Sequence, residues 1–398
     1  MTAERVILHC DCNNYFASVE LLTRPELRDK PVAVAGDPEG RHGIILAKNM
    51  AAKQYGVRTA ETIWQARQKC PGLILLPPHM ARYREISRQI NAIYLDVTDQ
   101  VEAFSIDESW LDVTGSRLLF GDGETIADGL RRRVREEIGV TISVGVSDNK
   151  TWAKMGSDYK KPDATTVITR ENVGRLLYPL PVEELLFVGR AAAETLRRHG
   201  ITTIGALAAC EESALMRLMG KQGAGLWRMA NGLDDSPVRR WGEREQVKSV
   251  GNSTTFAHDL VGREACRAGL MPLCDSVGAR LRAQGLRCRT VTLQIKDPQL
   301  KVISRQKTLP VPTGLTRQIF RAACALLEES WPERAPVRLM SVTAGGLSAA
   351  DEDVAAQLSF LTPVAPDDPR QVSLETAVDR VRARFGQESV RPGTERIE

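Results

Sequence analysis

Two acids stand side by side in Phe104-Ser105-Ile106-Asp107-Glu108-Ser109-Trp110-Leu111-Asp112-Val113. Apolar residues fall at even positions before the pair (Phe104, Ile106) and at odd positions after it (Leu111, Val113), with Trp110 at the joint. Side chains along a strand alternate with period two, so this change of phase predicts a turn or bulge. A tight turn at Asp107–Ser109 would bring both carboxylates to one rim of a sheet. Adjacent carboxylates repel when ionised unless a cation neutralises them. Mg2+ binds through one or two carboxylates together with substrate phosphates. A solvated hairpin turn is the other reading of the pair taken alone. A third acid, Asp11, ends the apolar run Val6-Ile7-Leu8-His9-Cys10, which places it at the C-terminal rim of a short buried strand.

The elements that must hold these acids mix strands and helices. Pro31–Ala35 and Gly43–Ala47 read as strands, joined by the charged loop 36–42. Asn49–Tyr55 and Ile63–Lys69 read as short helices, and Leu73–Leu76 as a strand closed by Pro77-Pro78. Arg82–Asp96 carries Ile86, Ile90, Ile93 and Tyr94 at helical spacing. Thr125–Ile138 is a basic helix, and Val140–Ser147 alternates strictly, with the period of a strand. The helix Asn149–Tyr159 runs into the basic turn Lys160-Lys161-Pro162-Asp163. Residues 171–237 read as all helical. There Phe187-Val188-Gly189 precedes a helix starting at Arg190, a turn that aims backbone N–H groups at phosphate or is a plain helical hairpin. A charged linker, Ser236–Gln246, follows. Residues 248–346 then read β-α-β-β-α-β, with Arg305 and Lys307 on a polar strand. From Ser348 the chain turns Ala/Asp/Pro-rich, which predicts disorder around the apolar plug Gln357–Leu361 and a short helix over Val372–Phe385.

Composition bounds the partners. The 398 residues are 42% hydrophobic and 26% charged, as in soluble globular chains. No apolar run approaches the roughly 18 residues that span a membrane, and the N-terminal run is too short for a signal peptide. Eight scattered cysteines form no CxxC pair, so reduced thiols in a cytoplasmic protein are expected, and Cys10-x-Cys12 has no second cluster to complete a metal site. Residues 239–345 hold 18 Lys+Arg against 9 Asp+Glu, within a chain whose net charge is only +4. A basic segment on an acidic body suggests a polyanion partner.

With these residues in view, the chain resembles the Y-family DNA polymerases, on the side of the DNA polymerase IV (DinB) branch. The resemblance covers residues 5–345. It is carried by Asp11-Cys12-Asn13-Asn14-Tyr15-Phe16, Ala47–Val57, Ser105-Ile106-Asp107-Glu108-Ser109, and Gly145-Val146-Ser147-Asp148-Asn149-Lys150 through Lys161-Pro162. It implies an α+β multidomain, right-hand polymerase. The ferredoxin-like palm would be residues 1–15 and 79–170, small fingers 16–78, a helical thumb 171–235, a linker 236–247, a β-α-β-β-α-β little finger 248–346, and a tail 347–398.

The resemblance also implies roles. Asp11, Asp107 and Glu108 match the metal-binding carboxylates, with the main-chain carbonyl of Cys12 beside them. Two Mg2+ ions, or Mn2+ in their place, would promote attack of a primer 3′-hydroxyl on a dNTP. Phe16 falls at the steric-gate position, with Tyr15 next to it. Lys161, Lys53 and Met50 fall at triphosphate positions. Where many members have Tyr and Arg, this chain has Met50 and Lys53, so a hydrogen-bond donor and a bidentate fork are missing. Asn13 stands where others have Asp. The thumb turn lacks its usual first glycine. Gly189, Arg190, Lys248, Arg305 and Lys307 are the expected DNA contacts. Gln357, Leu358 and Phe360 resemble a peptide that binds the bacterial sliding clamp. The expected protein is a monomeric translesion polymerase without proofreading, acting on primer-template DNA. The rivals are a nucleotide cyclase, which shares a palm-like fold and paired acids, and a clamp-bound protein that has lost synthesis.

Overall fold

Two units divide the chain, Met1–Glu243 and Arg244–Glu398; a computed structural model describes residues 5–37, 43–243, 245–350 and 367–390. The first unit opens with β1 (Ile7–Cys12) and α1 (Tyr15–Leu21). A small layer follows, made of β2 (Val32–Ala35), β3 (Ile45–Lys48), α2 (Met50–Gln54), α3 (Ile63–Lys69) and β4 (Ile74–Leu76). The long α4 (Met80–Leu95) leads into β5 (Val101–Ala103) and β6 (Glu108–Asp112). Then come α5 (Arg117–Phe120), α6 (Gly123–Arg133), β7 (Ile142–Ser147), α7 (Lys150–Tyr159) and β8 (Thr165–Val167). Helices α8 (Val173–Leu176), α9 (Arg190–Arg198), α10 (Ile204–Ala208), α11 (Glu212–Met219) and α12 (Lys221–Ala230) close the unit.

The acids ride on a five-stranded sheet of order β5-β6-β1-β7-β8, and the small layer forms its own sheet, β3-β2-β4. Every residue of β1 is buried because the strand is covered on both faces. Leu8 and Cys10 pack with Ile90, Ile93 and Tyr94 of α4 and Ile126 and Leu130 of α6. On the other face Ile7 packs with Trp110, Ala153 and Val238. Helix α7 can lie this close because β7 carries Gly145, where a Cβ would come within 1.9 Å of the Ala153 carbonyl oxygen. Asn149 caps α7 by accepting from the Trp152 N–H.

The turn between β5 and β6 differs from expectation. The N–H groups of Phe104 and Ser105 both donate to the Glu108 carbonyl, so the turn spans 104–107 and Glu108 already opens β6. Trp110 and Leu111 are both buried, which removes the alternation on which the expected turn at Asp107–Ser109 rested. The hairpin is anchored from behind. Glu102 receives Lys150 Nζ at 2.8 Å on both oxygens and Arg239 at 2.9 Å, and the Trp110 indole N–H donates to the Lys150 carbonyl. Burial alone would raise the Glu102 carboxyl, but its bonds to Lys150 and Arg239 outweigh that and hold it low. Its stabilisation is therefore present above the ordinary carboxylate range and is lost as pH falls through the lowered folded-state value. Glu102→Gln should leave the Lys150 ammonium buried without its counter-charge and lower stability by about 3 kcal/mol. Denaturant unfolding at pH 7 and pH 4 checks this, and the gap between variant and wild type should narrow at the lower pH.

The expected linker is only partly one: Val238 is buried in the first unit and Arg239 binds Glu102 there. In the second unit β9 (Ser249–Leu260), α13 (Arg263–Ala283), β10 (Leu286–Lys296), β11 (Val302–Thr313), α14 (Thr316–Ser330) and β12 (Val337–Ala349) give the expected β-α-β-β-α-β order. The sheet order is β11-β10-β12-β9. Register corrects the placement of the basic residues. Arg305 and Lys307 pair directly with the core residues Leu293 and Val291, so they lie on the helix side of edge strand β11. The opposite face presents Thr292, Gln294, Ser341, Thr343, Ser304 and Gln306, with Lys296 at its end, so hydroxyls and amides dominate it. The tail is also more ordered than expected. β12 runs on to Ala349, and α15 (Pro369–Phe385) docks on the unit through Arg282 with Glu375 and Asp379, and through Arg382 with Asp275. Gln357–Leu361 lies outside the described residues. Among the described residues no helix is long and apolar enough to cross a membrane.

Candidate active site

Asp11 and Glu108 face each other directly across the β1–β6 pair. Asp107 stands next to them in the turn, its carbonyl accepting from the Cys12 N–H at 3.0 Å and its carboxylate accepting from the Ser105 hydroxyl at 2.6 Å. The three acids line one cleft together with Cys12, Tyr15, Met50, Lys53 and Lys161. Phe16 stands one residue on, partly buried.

Side chains the sequence reading missed set the electrostatics. Lys154 Nζ lies 3.0 Å from Asp11 Oδ2, 2.7 Å from Glu108 Oε2 and 3.2 Å from Asp158 Oδ2. Lys161 Nζ lies 2.7 Å from Asp11 Oδ2 and 2.7 Å from Asp158 Oδ1. His9 is buried under Glu108, with Nε2 3.3 Å from Oε2 and Nδ1 2.8 Å from the Ser157 hydroxyl. His9, Asp11 and Glu108 therefore converge closely enough to hold a metal ion. The signal for Lys154 was the spacing Lys150, Lys154, Asp158 on α7, one polar stripe at i, i+4.

These contacts split the acids. Burial opposes the Glu108 carboxylate, but the approach of His9 and the Lys154 ammonium overcome it and hold the carboxyl at about 2. Asp107 goes the other way: burial, then the charges of Asp11 and Glu108, raise its carboxyl despite the Ser105 bond. Burial also pushes the His9 imidazolium down and the Cys12 thiol well up. Asp107 is thus the member of the trio that most lacks a counter-charge.

Asn13 turns out to be a structural brace. Its amide donates to Ser143, and its carbonyl oxygen accepts from the Thr141 hydroxyl and the Asp163 N–H, tying the turn that carries Lys161 to the end of β1. Opposite the acids, β3 supplies a further missed residue, Lys48, whose ammonium donates to the Thr59 hydroxyl at 3.0 Å. Among the described residues neither Lys48 nor Lys53 has a carboxylate partner, so this wall is cationic. Lys48 titrates lower than usual because of burial and then the nearby Lys53 charge. Met50 is partly exposed at the same wall. Tyr15 is 3% exposed and its hydroxyl donates to the Tyr83 carbonyl, which makes its ring a core group.

The expected DNA contacts fall in both units. Gly189 caps α9 without a side chain, and Arg190 is exposed and paired with Glu194 at 2.9 Å. The position of the missing glycine is taken by Phe187, exposed and at φ 67°, a left-handed conformation that favours glycine. Lys248, Arg305 and Lys307 are exposed in the second unit, Lys307 lying 3.6 Å from Glu329.

Two family models match the chain: the impB/mucB/samB family over residues 10–158 and that family's C-terminal domain over 247–360. The DNA polymerase IV of Acetivibrio thermocellus is 48% identical over 98% of this chain and 97% of its own length. That of Moorella thermoacetica is 40% identical, covering 96% and 94%, and DNA polymerase IV 1 of Bacillus subtilis is 36% identical, covering 98% and 92%. Among solved structures, a Y-family DNA polymerase chimera superposes with a TM-score of 0.75 at 24% identity, over 86% of this chain and 99% of that one.

Proposed function

The chain belongs to the impB/mucB/samB family, among the DNA polymerases IV, and from that premise we propose that it extends a primer under template direction by metal-assisted nucleotidyl transfer at Asp11, Asp107 and Glu108. It is a DNA-directed DNA polymerase of the Y family. The observation that carries the site assignment is the direct cross-strand pairing of Asp11 with Glu108, with Asp107 in the adjoining turn and Lys48 and Lys53 on the wall opposite.

The residues fit divalent ions. Asp11, Asp107, Glu108 and the Cys12 carbonyl offer only oxygen, the donor set hard cations prefer. Burial and then the like charges of Asp11 and Glu108 raise the Asp107 carboxyl, a cost that a bound cation offsets. When bound, two Mg2+ ions, with Mn2+ as a substitute, supply Lewis-acid stabilisation of the attacking and leaving oxygens. The chain's own groups position the reactants. The primer 3′-hydroxyl gives up its proton to solvent as its oxygen forms a bond to the α-phosphorus of the dNTP, the bond from that phosphorus to the bridging oxygen breaks, and pyrophosphate leaves. Lys48 and Lys53 on one wall and Lys161 on the other face the triphosphate. Phe16 is the ring that meets the sugar. Gly189, Arg190, Lys248, Arg305 and Lys307 contact the DNA backbone, and Gln357, Leu358 and Phe360 tether the monomer to a sliding clamp in the cytoplasm. Family membership supports a reading of low-fidelity synthesis past damaged template bases.

Lys48→Ala and Lys53→Ala should each raise the KM for dNTP by about tenfold, the value of one charge-assisted hydrogen bond. Their kcat should change little, and steady-state kinetics on a fixed primer-template read both parameters. The whole reading is tested by adding dNTPs and Mg2+ to a primed template. Extension that stops with EDTA and resumes with excess Mg2+ supports it; no extension under any divalent ion overturns it.

A further inference from the structure

Phe16 and Glu20 lie four residues apart on α1, and so on one face of it. Tyr83, in the first turn of α4, meets both. Its ring stacks on Phe16 with centroids 4.2 Å apart and planes inclined by 12°. Its hydroxyl donates to Glu20 Oε1 at 2.7 Å. Tyr83 and Glu20 are both 0% exposed. Glu20 also receives His79 Nδ1 at 2.7 Å on the same oxygen and Arg24 Nη1 at 2.6 Å on the other. A second tie joins the two helices, from the Tyr15 hydroxyl to the Tyr83 carbonyl at 2.6 Å.

Burying a carboxylate is unfavourable unless donors surround it, and an apolar side chain would fill the same volume without that penalty. Here the donors also define a direction. The phenol hydroxyl donates to Glu20 with the Tyr83 ring lying flat against Phe16, so the bond to Glu20 holds the ring in that stacked position. A ring discriminates by collision only if it cannot retreat, and a buried parallel ring behind it blocks the retreat.

We propose that Tyr83 and Glu20 are positioning residues for sugar selection: Tyr83 backs the Phe16 ring, and Glu20 pins Tyr83. The inference rests on the polymerase reading and on Phe16 as the residue that meets the sugar. It extends that reading to two side chains that touch no substrate.

The test compares kcat/KM for a dNTP and the matching rNTP opposite one template base. The proteins are wild type, Phe16→Ala, Tyr83→Leu, Tyr83→Phe, Glu20→Gln and the double variant Phe16→Ala/Tyr83→Leu. Losing an aromatic partner is worth about tenfold, so Tyr83→Leu should lower the dNTP/rNTP ratio by about that factor, chiefly through a lower KM for rNTP. Glu20→Gln should lower the ratio by at least about threefold, and Tyr83→Phe, which keeps the ring, should restore most of what leucine loses. The double variant should be no less selective than Phe16→Ala, because the wall acts only through the ring. If Tyr83→Leu is unfolded by circular dichroism, Glu20→Gln and Tyr83→Phe carry the test: a lowered ratio in Glu20→Gln supports the inference. A ratio unchanged in every folded Tyr83 and Glu20 variant, while Phe16→Ala relaxes it, overturns the inference and leaves the polymerase reading standing. If Phe16→Ala leaves the ratio unchanged, the gate assignment and this inference both fall. A wild type that incorporates no dNTP overturns the polymerase reading and this inference with it.

Discussion

Asp107→Ala should reduce primer extension by at least about 10^3-fold, the scale on which removing one transition-state contact in a preorganised site is felt. Primer-template affinity should stay within about threefold of wild type, because Asp107 is one acid among phosphate-binding cations spread over the chain. Asp107 is the cleanest of the three acids to remove. Asp11 is held by Lys154 and Lys161, and Glu108 by Lys154 and His9, so deleting either strips buried cations of their partners. Asp107 sits in the 104–107 turn, where its carboxylate accepts from the Ser105 hydroxyl and, among the described residues, forms no ion pair. Its raised carboxyl also has a stability sign. A carboxyl raised in the folded state destabilises the fold where it is ionised, so stability falls as pH rises through that value. Asp107→Asn should accordingly keep the turn, raise the Tm slightly at pH 7 without metal, lose that gain at acid pH, and still fail to extend primers. Synthesis retained by Asp107→Ala would displace the metal assignment.

Phe16→Ala should lower the dNTP/rNTP selectivity on the order of 10^2-fold, the upper range for discrimination by steric exclusion in an apolar pocket. The ring stacks on a buried tyrosine that is itself hydrogen-bonded, so its position is well defined, and as the proposed gate it would exclude a 2′-hydroxyl beside it. Alanine opens that space. The same substitution removes a partly buried ring, so a stability loss of about 2–3 kcal/mol should accompany the change. Selectivity measured as a ratio of kcat/KM values separates the two effects, since partial unfolding lowers both rates equally. Tyr15 is a poor alternative gate because its ring is buried and its hydroxyl is committed to the Tyr83 carbonyl.

Much of the frame was legible from residue patterns. Asp11 ends a run too apolar to be anything but a buried strand, and the polar alternation of Val140–Ser147 marks its neighbour. The β-α-β-β-α-β unit was legible because its helices and strands carry contrasting periods. What was not legible depended on register and on long-range approach. The turn came out displaced because β6 is buried on both faces, which erases the alternation used to place it. Arg305 and Lys307 were placed on a polar strand, but the face of a strand is fixed only by its partner, and Leu293 and Val291 put them on the helix side. Lys154 and Lys48 were missed although each stands in a motif that was singled out. Their significance appears only when Gly145 lets α7 close on β7 and when β3 faces the acids. The docking of α15 rests on Arg282, Glu375 and Asp379, charges about a hundred residues apart that no local pattern connects.

The central claim is that the acid trio serves synthesis directed by a template. Single-nucleotide incorporation on four primed templates that differ only in the first unpaired base tests it most directly. With Mg2+ present, each template should select its complementary dNTP, and the Asp107→Ala protein should add none. Product that is independent of the template base, or that forms without a primer, would contradict the claim.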